Sequence, residues 1–238
     1  MTAEPDDIHR LIEKLQLVRD QFMDDKDAVI AIYSFVPSKH DARITAYSKT
    51  INVLNSLQLA FTFISKHLLN DQWWETVARN TIPGPDKQIY ANEFANFTKV
   101  SFVQGLFLAI ESSLRLFLRA IDPTACNGGM AEFKSIYECL FRSKLNTMPS
   151  NGIVLLDLLR LVRNTIHNNG VYFHSNGNDA SITWDVETFE FKQGKPVDFV
   201  TWDFMIRVSE ALRQLLREVV EDAALKKITT EIDDSFSH

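Results

Sequence analysis

The chain has 238 residues, of which 45% are apolar and 24% are charged, a composition typical of a globular protein with one large or two small domains. The formal net charge is −6. This charge argues against duplex DNA as a partner, because duplex binding needs a broad basic surface, but it leaves room for a small local site for single-stranded RNA.

Residues 1–85 predict an N-terminal helical segment that packs on the rest of the protein. Apolar residues recur at helical spacing after Asp6 or Asp7, either of which can cap a first helix. A second, longer helix is predicted at about 39–69, and a short helix follows before the chain breaks at Pro83. The N-terminus is acidic and polar rather than a signal peptide, so we expect a cytoplasmic protein.

Residues 86–226 predict the main domain, which is mainly α-helical. Its longest helix, predicted at 86–121, is apolar on most sides, so we expect it to run through the centre of a helical bundle. The most apolar window of that helix, 100–118, still contains Glu111 and Arg115. The window therefore predicts a buried helix rather than a membrane span, and no membrane partner is expected.

Glu111 and Arg115 are four residues apart with the acid first, the order that favours an ion pair on one helix. The structural interpretation is a partly buried ion pair within the helix. The functional interpretation is that either side chain supports a polar site on a later helix, around Arg160 and His167. The sequence leaves both interpretations open.

A small β appendage is predicted at 171–200, where the helical period gives way to short runs of β-forming residues. The first hairpin joins strands at 171–174 and 181–184 through an Asn-Gly-Asn turn, and the second joins strands at 188–192 and 196–200 through a Gln-Gly turn. The strands are short, which is typical of an appendage rather than of a separate domain.

Thr201 is positioned to cap a last long helix, whose apolar residues again repeat at helical spacing. Residues 227–238 are polar, and we expect them to form a frayed C-terminal tail. The predicted fold is therefore mainly α, a helical bundle with a small β-hairpin appendage before the last long helix.

Cys126 and Cys139 belong to no metal-binding cluster, so we expect reduced thiols.

The stretch at 153–170 is the one place where polar residues gather at a spacing that chemistry can use. On a helical wheel its apolar residues form a single stripe that faces the core. The members of this stripe are Leu155, Leu158, Leu159, Val162 and Ile166. Arg160, Asn164 and His167 fall within about 60° of one another on the opposite side, with Arg163 at the edge. Asn and Gly residues at the end of the stretch favour the left-handed conformation that closes a helix.

The sequence RNTIHNNG, from Arg163 to Gly170, resembles the motif of the HEPN superfamily. The family hallmark is an Arg, usually followed by a polar residue, then four to six residues and a His. Many members carry Asn after the Arg, as at Asn164, and small or polar residues with a glycine after the His. The segment LAIESSLRLFLRAI in the preceding long helix is similar to the central helix of such bundles. The resemblance implies a HEPN-like bundle over residues 86–226.

The spacing leaves two arginines as candidates for the motif. Three residues separate Arg163 from His167, fewer than in the family pattern. Six residues separate Arg160 from His167, but Arg160 is followed by Leu161 rather than by a polar residue. Either Arg160 pairs with His167, or Arg163 and Asn164 form a compressed version of the motif.

The resemblance implies metal-independent cleavage of RNA, without a cofactor, by a homodimer whose two Arg/His helix faces meet across one cleft. The residue types suit this chemistry. His167 can take the proton of the RNA 2′-hydroxyl as a general base. Arg160 or Arg163 can bind the phosphate and stabilise charge in the transition state. Asn164 can orient the imidazole or the substrate, and the expected product carries a 2′,3′-cyclic phosphate.

Many members of the family act in toxin–antitoxin or anti-phage systems, so the resemblance also implies an antitoxin as a protein partner. Other members have lost catalysis, which gives the alternative function: a non-catalytic module that binds a nucleotide, RNA or a protein through the same face. A third interpretation is a scaffold whose polar face has no ligand. Other catalytic classes lack support, since the chain has no GxSxG, P-loop, GxGxxG or HExxH motif.

Overall fold

The computed structural model describes residues 5–36, 39–78, 82–125 and 132–234. Within these residues the fold is mainly α-helical with a small antiparallel hairpin before the last long helix, which confirms the predicted fold class. The elements are α1 (Pro5–Ile32), α2 (Ala42–Phe63), α3 (Asp71–Ala78), α4 (Gly84–Ile121), α5 (Phe133–Cys139), α6 (Gly152–Ile166), β1 (Ala180–Trp184), β2 (Glu187–Phe191), α7 (Trp202–Val220) and α8 (Ala223–Lys226). α2 and α5 each continue into a π-helical turn, at Ile64–Leu68 and Leu140–Lys144.

The first helix, α1, buries one face against α2 and α7. The buried residues of this face are Ile8, Leu11, Leu15, Val18, Phe22 and Val29. Their spacing of three, four and seven follows the period of the helix, so burial of a single stripe positions α1 along the bundle.

The longest helix, α4, contacts α2, α5, α6 and α7, as expected for the centre of the bundle. Leu106, Leu114 and Phe117 are fully buried in it. Gly105 allows α2 to approach closely, because a Cβ at this position would lie 3.1 Å from a methyl group of Val53. Among the described residues, α4 is the helix long and apolar enough to cross a membrane, and half of its most apolar window is buried inside the protein. The core helix of a folded protein meets the same criterion.

The hydrophobic core is continuous through the described chain and does not divide at residue 85. Ile8 in α1 and Ile232 near the C-terminus belong to the same cluster of buried residues as Leu114 at the centre of α4. The N-terminal helices therefore complete the core of the bundle.

The predicted pairing of strands in the β appendage is wrong. The strand predicted at 181–184 pairs instead with Glu187–Phe191, which follows it after a turn of two residues. The turn between the strands consists of Asp185 and Val186, with positive φ angles of 48° and 61°. Such turns are usually built from Asn and Gly, and a β-branched Val is strained there, so the sequence carries no signal for this hairpin.

The residues predicted as the outer strands close the appendage around this hairpin. The backbone N–H of Tyr172 donates to the carbonyl of Lys195 at 3.0 Å, and that of Gly194 donates to the carbonyl of Tyr172 at 2.8 Å. Aromatic side chains fill the space between the appendage and the start of α7. They are Trp184, Phe189, Phe191, Phe199 and Phe204.

The segment 227–234 is not frayed, contrary to the expectation for the C-terminal tail, whose last residues, 235–238, lie outside the described part of the chain. The N–H of Ala42 donates to the carbonyl of Ile232 at 2.8 Å, and the side chain of Ile232 is buried. The carboxylate of Asp234, also buried, pairs with Lys49 at 2.6 Å. The segment is therefore held against the start of α2.

A buried ion pair explains why this polar segment is ordered. Arg43 and Asp41 are both fully buried, and the Nε of Arg43 donates to Asp41 at 2.8 Å. The Nη2 group also donates to Asp41, and the two Nη groups donate to the carbonyls of Leu225, Ile228 and Thr230 at 3.4, 2.8 and 2.9 Å. Because a buried charge needs every donor satisfied, the segment supplies backbone acceptors that its composition does not reveal.

Candidate functional site

The helix α6 has the amphipathic pattern that the sequence predicts. Its core-facing residues are Leu155, Leu158, Leu159 and Val162, which are buried, and Ile166, which is half-buried. On the other side Arg160, Arg163 and Asn164 are half-buried. His167 is exposed. We call these four residues the polar face of α6.

The end of α6 determines where His167 lies. The N–H of Gly170 donates to the carbonyl of Thr165 at 2.9 Å, and the N–H of Asn169 donates to that of Ile166 at 3.2 Å. Asn169 has a φ of 53°, in the left-handed region. These two hydrogen bonds and the left-handed residue form a Schellman motif, which places His167 in the last helical turn, as predicted.

Arg163 lies against α4. Its guanidinium carbon is 5.4 Å from the centroid of the Phe107 ring, a cation–π geometry. Its Nη1 is 3.5 Å from the side-chain oxygen of Asn164, a long hydrogen bond. No carboxylate among the described residues forms an ion pair with Arg163, so its positive charge is available to an anionic ligand.

Arg160, in contrast, has an ion-pair partner within the protein. Its Nη2 lies 3.3 Å from Asp157, one turn earlier in α6. The same carboxylate accepts a hydrogen bond from the Tyr137 hydroxyl at 2.7 Å and lies 3.9 Å from the Lys134 ammonium. Burial and the hydrogen bond to Asp157 raise the pKa of Tyr137, so its hydroxyl stays protonated as a donor. The charge of Arg160 is thus partly neutralised within the fold.

Tyr172 adds a second tyrosine near Arg160. Its hydroxyl is buried and has no hydrogen-bond partner among the described residues, and the same is true of the Arg160 Nε. Burial raises the pKa of Tyr172, and the nearby guanidinium of Arg160 partly offsets this effect. Sequence reasoning found neither Tyr172 nor Tyr137, because neither lies on α6 and nothing in the local pattern connects them with that helix.

The imidazole of His167 is accessible but has no orienting partner, since no hydrogen bond joins it to another described residue. General bases in enzymes are usually oriented by a third group. The polar face therefore brings Arg163 and Asn164 into contact and leaves His167 beside them, while Arg160 turns towards Asp157 and α5.

Glu111 and Arg115 form an ion pair within α4. The Nη2 and Nε of Arg115 donate to the same carboxylate oxygen at 2.6 and 3.1 Å. The two side chains are only 21% and 25% exposed. Glu111 and Arg115 therefore form the partly buried ion pair that the structural interpretation of the sequence predicted.

No group of three or more His, Cys, Asp or Glu side chains within the described ranges is placed to hold a metal ion. Cys139 is a free, half-buried thiol, and Cys126 lies outside the described residues.

Comparison with known proteins gives no relative: no family model matches the chain, and no curated protein or solved structure is significantly similar to it. The resemblance to the HEPN superfamily therefore rests on the RNTIHNNG motif and on the helical context of α6.

Proposed function

We propose that the chain is a metal-independent endoribonuclease of HEPN type that binds RNA at the polar face of α6. The observation that carries the proposal is the exposed position of His167 one helical turn after Arg163. Side chains four residues apart on a helix lie about 5–6 Å apart at Cβ. That separation suits contact with the phosphate and the 2′-hydroxyl of one nucleotide.

In the proposed reaction His167 takes the proton of the 2′-hydroxyl as a general base. The 2′-oxygen attacks the phosphorus, and the bond from the phosphorus to the 5′-oxygen of the next nucleotide breaks. The 5′-oxygen takes a proton from water, His167 later releases its proton to solvent, and the product ends in a 2′,3′-cyclic phosphate. A guanidinium holds the phosphate and stabilises the charge that develops on it.

Arg163 is the better candidate than Arg160 for the phosphate-binding role. The Arg160 guanidinium already faces the Asp157 carboxylate at 3.3 Å, so an incoming phosphate would have to compete with that contact. Arg163 contacts only the Phe107 ring and an amide oxygen among the described residues. Asn164, beside Arg163, is then placed to contact the substrate.

The active form that we propose is a homodimer in which two polar faces meet across one cleft. A second copy would supply the group that orients His167 and would shield the exposed imidazole from bulk water. The cellular setting that we propose is a toxin–antitoxin or anti-phage system, with an antitoxin as partner.

The test is cleavage of single-stranded RNA by the purified protein in EDTA. We expect wild-type protein to produce 2′,3′-cyclic phosphate ends, detected by mass spectrometry. Replacing His167 by Ala should lower the rate by about 10²–10⁴-fold, the usual contribution of a general base. Arg163→Ala should lower it by about 10²–10³-fold.

Matched controls are His9→Ala and Arg142→Ala, which remove an exposed imidazole and an exposed guanidinium on other helices. Both should cleave at the wild-type rate. If His167→Ala and the wild-type protein cleave alike, the activity has another source and the ribonuclease proposal is wrong.

The second candidate is a non-catalytic module that binds RNA, a nucleotide or a protein through the same face. The observation that favours it is the absence of an orienting partner for His167 among the described residues. In that case binding would weaken in Arg163→Ala, while no RNA would be cleaved by wild-type protein and His167→Ala would bind normally.

A further inference from the structure

A cavity of about 340 Å³ lies between α1, the π-helical turn after α2, α4 and the start of α7. It shares no lining residue with the polar face of α6. Its volume falls at the lower end of the range for small-molecule sites, about 300–1,000 Å³. Its apolar wall includes Leu11, Phe61, Ile64 and Trp202, and the rings of Phe61 and Trp202 meet edge to face with centroids 4.7 Å apart.

Lys99 in the wall of this cavity is a half-buried cation without an ion-pair partner among the described residues. Its ammonium lies 5.4 Å from the centroid of the Trp202 ring. Burial lowers the pKa of Lys99, and no nearby carboxylate opposes that effect. Two other half-buried lysines do have ion-pair partners: Lys49 pairs with Asp234 at 2.6 Å and Lys87 with Asp71 at 2.9 Å. A desolvated ammonium that lacks an anion is a site at which a ligand anion is favoured.

The aspartates at the rim of the cavity are already neutralised by other cations. Asp203 accepts a hydrogen bond from the Lys14 ammonium at 2.7 Å and lies 3.3 Å from the Arg10 guanidinium. Asp7 lies 3.7 Å from the same guanidinium. These pairs leave the charge of Lys99 uncompensated on the inner side of the cavity.

We propose that this cavity binds a small aromatic carboxylate, with its carboxylate on Lys99 and its ring against the apolar wall. The amides of Asn92 and Asn96, one turn apart on α4, lie in the same wall and offer further donors. The apolar wall with Phe61 and Trp202 suits a flat ring, and the single uncompensated cation suits a monoanion.

The experiment compares two probes that differ only in charge, indole-3-acetate and indole-3-acetamide, by isothermal titration calorimetry on the full chain. We expect the carboxylate to bind about tenfold more tightly than the amide, as one charge-assisted hydrogen bond provides. Lys99→Met keeps the length of the side chain and removes its charge, and should reduce this preference to within about twofold.

Three further variants locate the effect. Lys195→Met removes an exposed lysine of the β appendage and should leave the preference for the carboxylate unchanged. Ala95→Phe places a ring inside the cavity and should prevent binding of both probes. Glu93→Gln removes a rim carboxylate about 120° from Lys99 around α4 and should strengthen carboxylate binding slightly.

Thermal melts of each variant establish that it is folded, and Lys99→Met should melt at or above the wild-type temperature because an unpaired, half-buried charge is lost. The proposal is overturned if neither probe binds, if the two probes bind equally, or if folded Lys99→Met retains the preference. RNA cleavage plays no part in these measurements, so they stand independently of the ribonuclease proposal.

Discussion

Two arginines in this protein show how the same side chain serves opposite purposes. Arg43 is fully buried, and its guanidinium contacts Asp41, three backbone carbonyls and, at 4.1 Å, the ring of Tyr33. Arg163 is half-buried, contacts the Phe107 ring and has no carboxylate partner among the described residues. The hydrogen-bond donors of the first are used by the fold, and the second retains the charge that would bind phosphate in the proposed reaction. The difference lies in the partners and not in the residue type.

The largest effect should come from Arg43→Met, which leaves the Asp41 carboxylate buried without its cation. Removal of one partner from a buried ion pair costs about 3–5 kcal/mol in free energy of unfolding. Urea denaturation should therefore show a much lower midpoint. The same measurement on Lys192→Met, which breaks an exposed pair with Glu190, should give the wild-type midpoint. Equal midpoints for the two variants would contradict a stabilising role for Arg43.

A second prediction compares the two tyrosines near Arg160. Tyr137→Phe removes a hydroxyl that donates to Asp157 at 2.7 Å, and should destabilise the fold by about 1–2 kcal/mol. Tyr172→Phe removes a buried hydroxyl that has no partner among the described residues, and should be neutral or slightly stabilising. Thermal denaturation of both variants checks this order, and the reverse order would show that Tyr172 has the more important hydrogen bond.

A third prediction concerns the cap that positions His167. Asn169 has a φ of 53°, so Asn169→Ala should destabilise the protein by about 1 kcal/mol, whereas Asn169→Gly should change stability by a few tenths at most. If the ribonuclease proposal holds, Asn169→Ala should also cleave RNA more slowly than Asn169→Gly. Denaturation and cleavage assays on the same preparations make the comparison. Equal stability of the two variants would argue against the left-handed cap.

The smallest effect on stability should come from the polar face itself. His167 is exposed and has no described hydrogen-bond partner, so His167→Ala should change the free energy of unfolding by less than about 0.5 kcal/mol. If His167→Ala loses activity but keeps the wild-type stability, His167 acts in function and not in folding. Arg43→Met should instead lower the stability of the fold. A strong loss of stability would instead indicate that His167 has a structural contact.

The sequence predicted helices such as α1, α6 and α7 because each has a buried stripe at the helical period. α6 is the clearest case: its apolar stripe faces the core, and the Asn-Gly end forms the left-handed cap. The tail at 227–234 could not be predicted, because its order depends on Arg43, more than 180 residues earlier in the chain. The hairpin could not be predicted either, since Asp185 and Val186 are an unusual pair for its turn.

The candidate site was predictable only as a set of residues on one helix face. Helical spacing placed Arg160, Arg163 and His167 opposite the apolar stripe of α6; in the structure His167 is exposed and both arginines are half-buried. It could not show that Tyr137 binds the carboxylate of Asp157, because that contact depends on how α5 packs beside α6, although Asp157 itself lies three residues before Arg160 on the same helix. The distinction between the two arginines therefore comes partly from the spacing of Asp157 and Arg160 on α6 and partly from the packing of α6 against α4 and α5.

The bonds from Arg43 to the carbonyls of Ile228 and Thr230 join residues 185 and 187 positions apart in sequence. A ribosome produces the guanidinium long before it produces these acceptors. Until residue 230 has been synthesised, Arg43 and Asp41 therefore remain hydrated or loosely packed. Domains generally begin to fold from the N-terminus during synthesis, but these two residues cannot reach their native contacts that early. The start of α2 can thus reach its final packing only late in translation, and a nascent chain stalled before that point should remain sensitive to proteases.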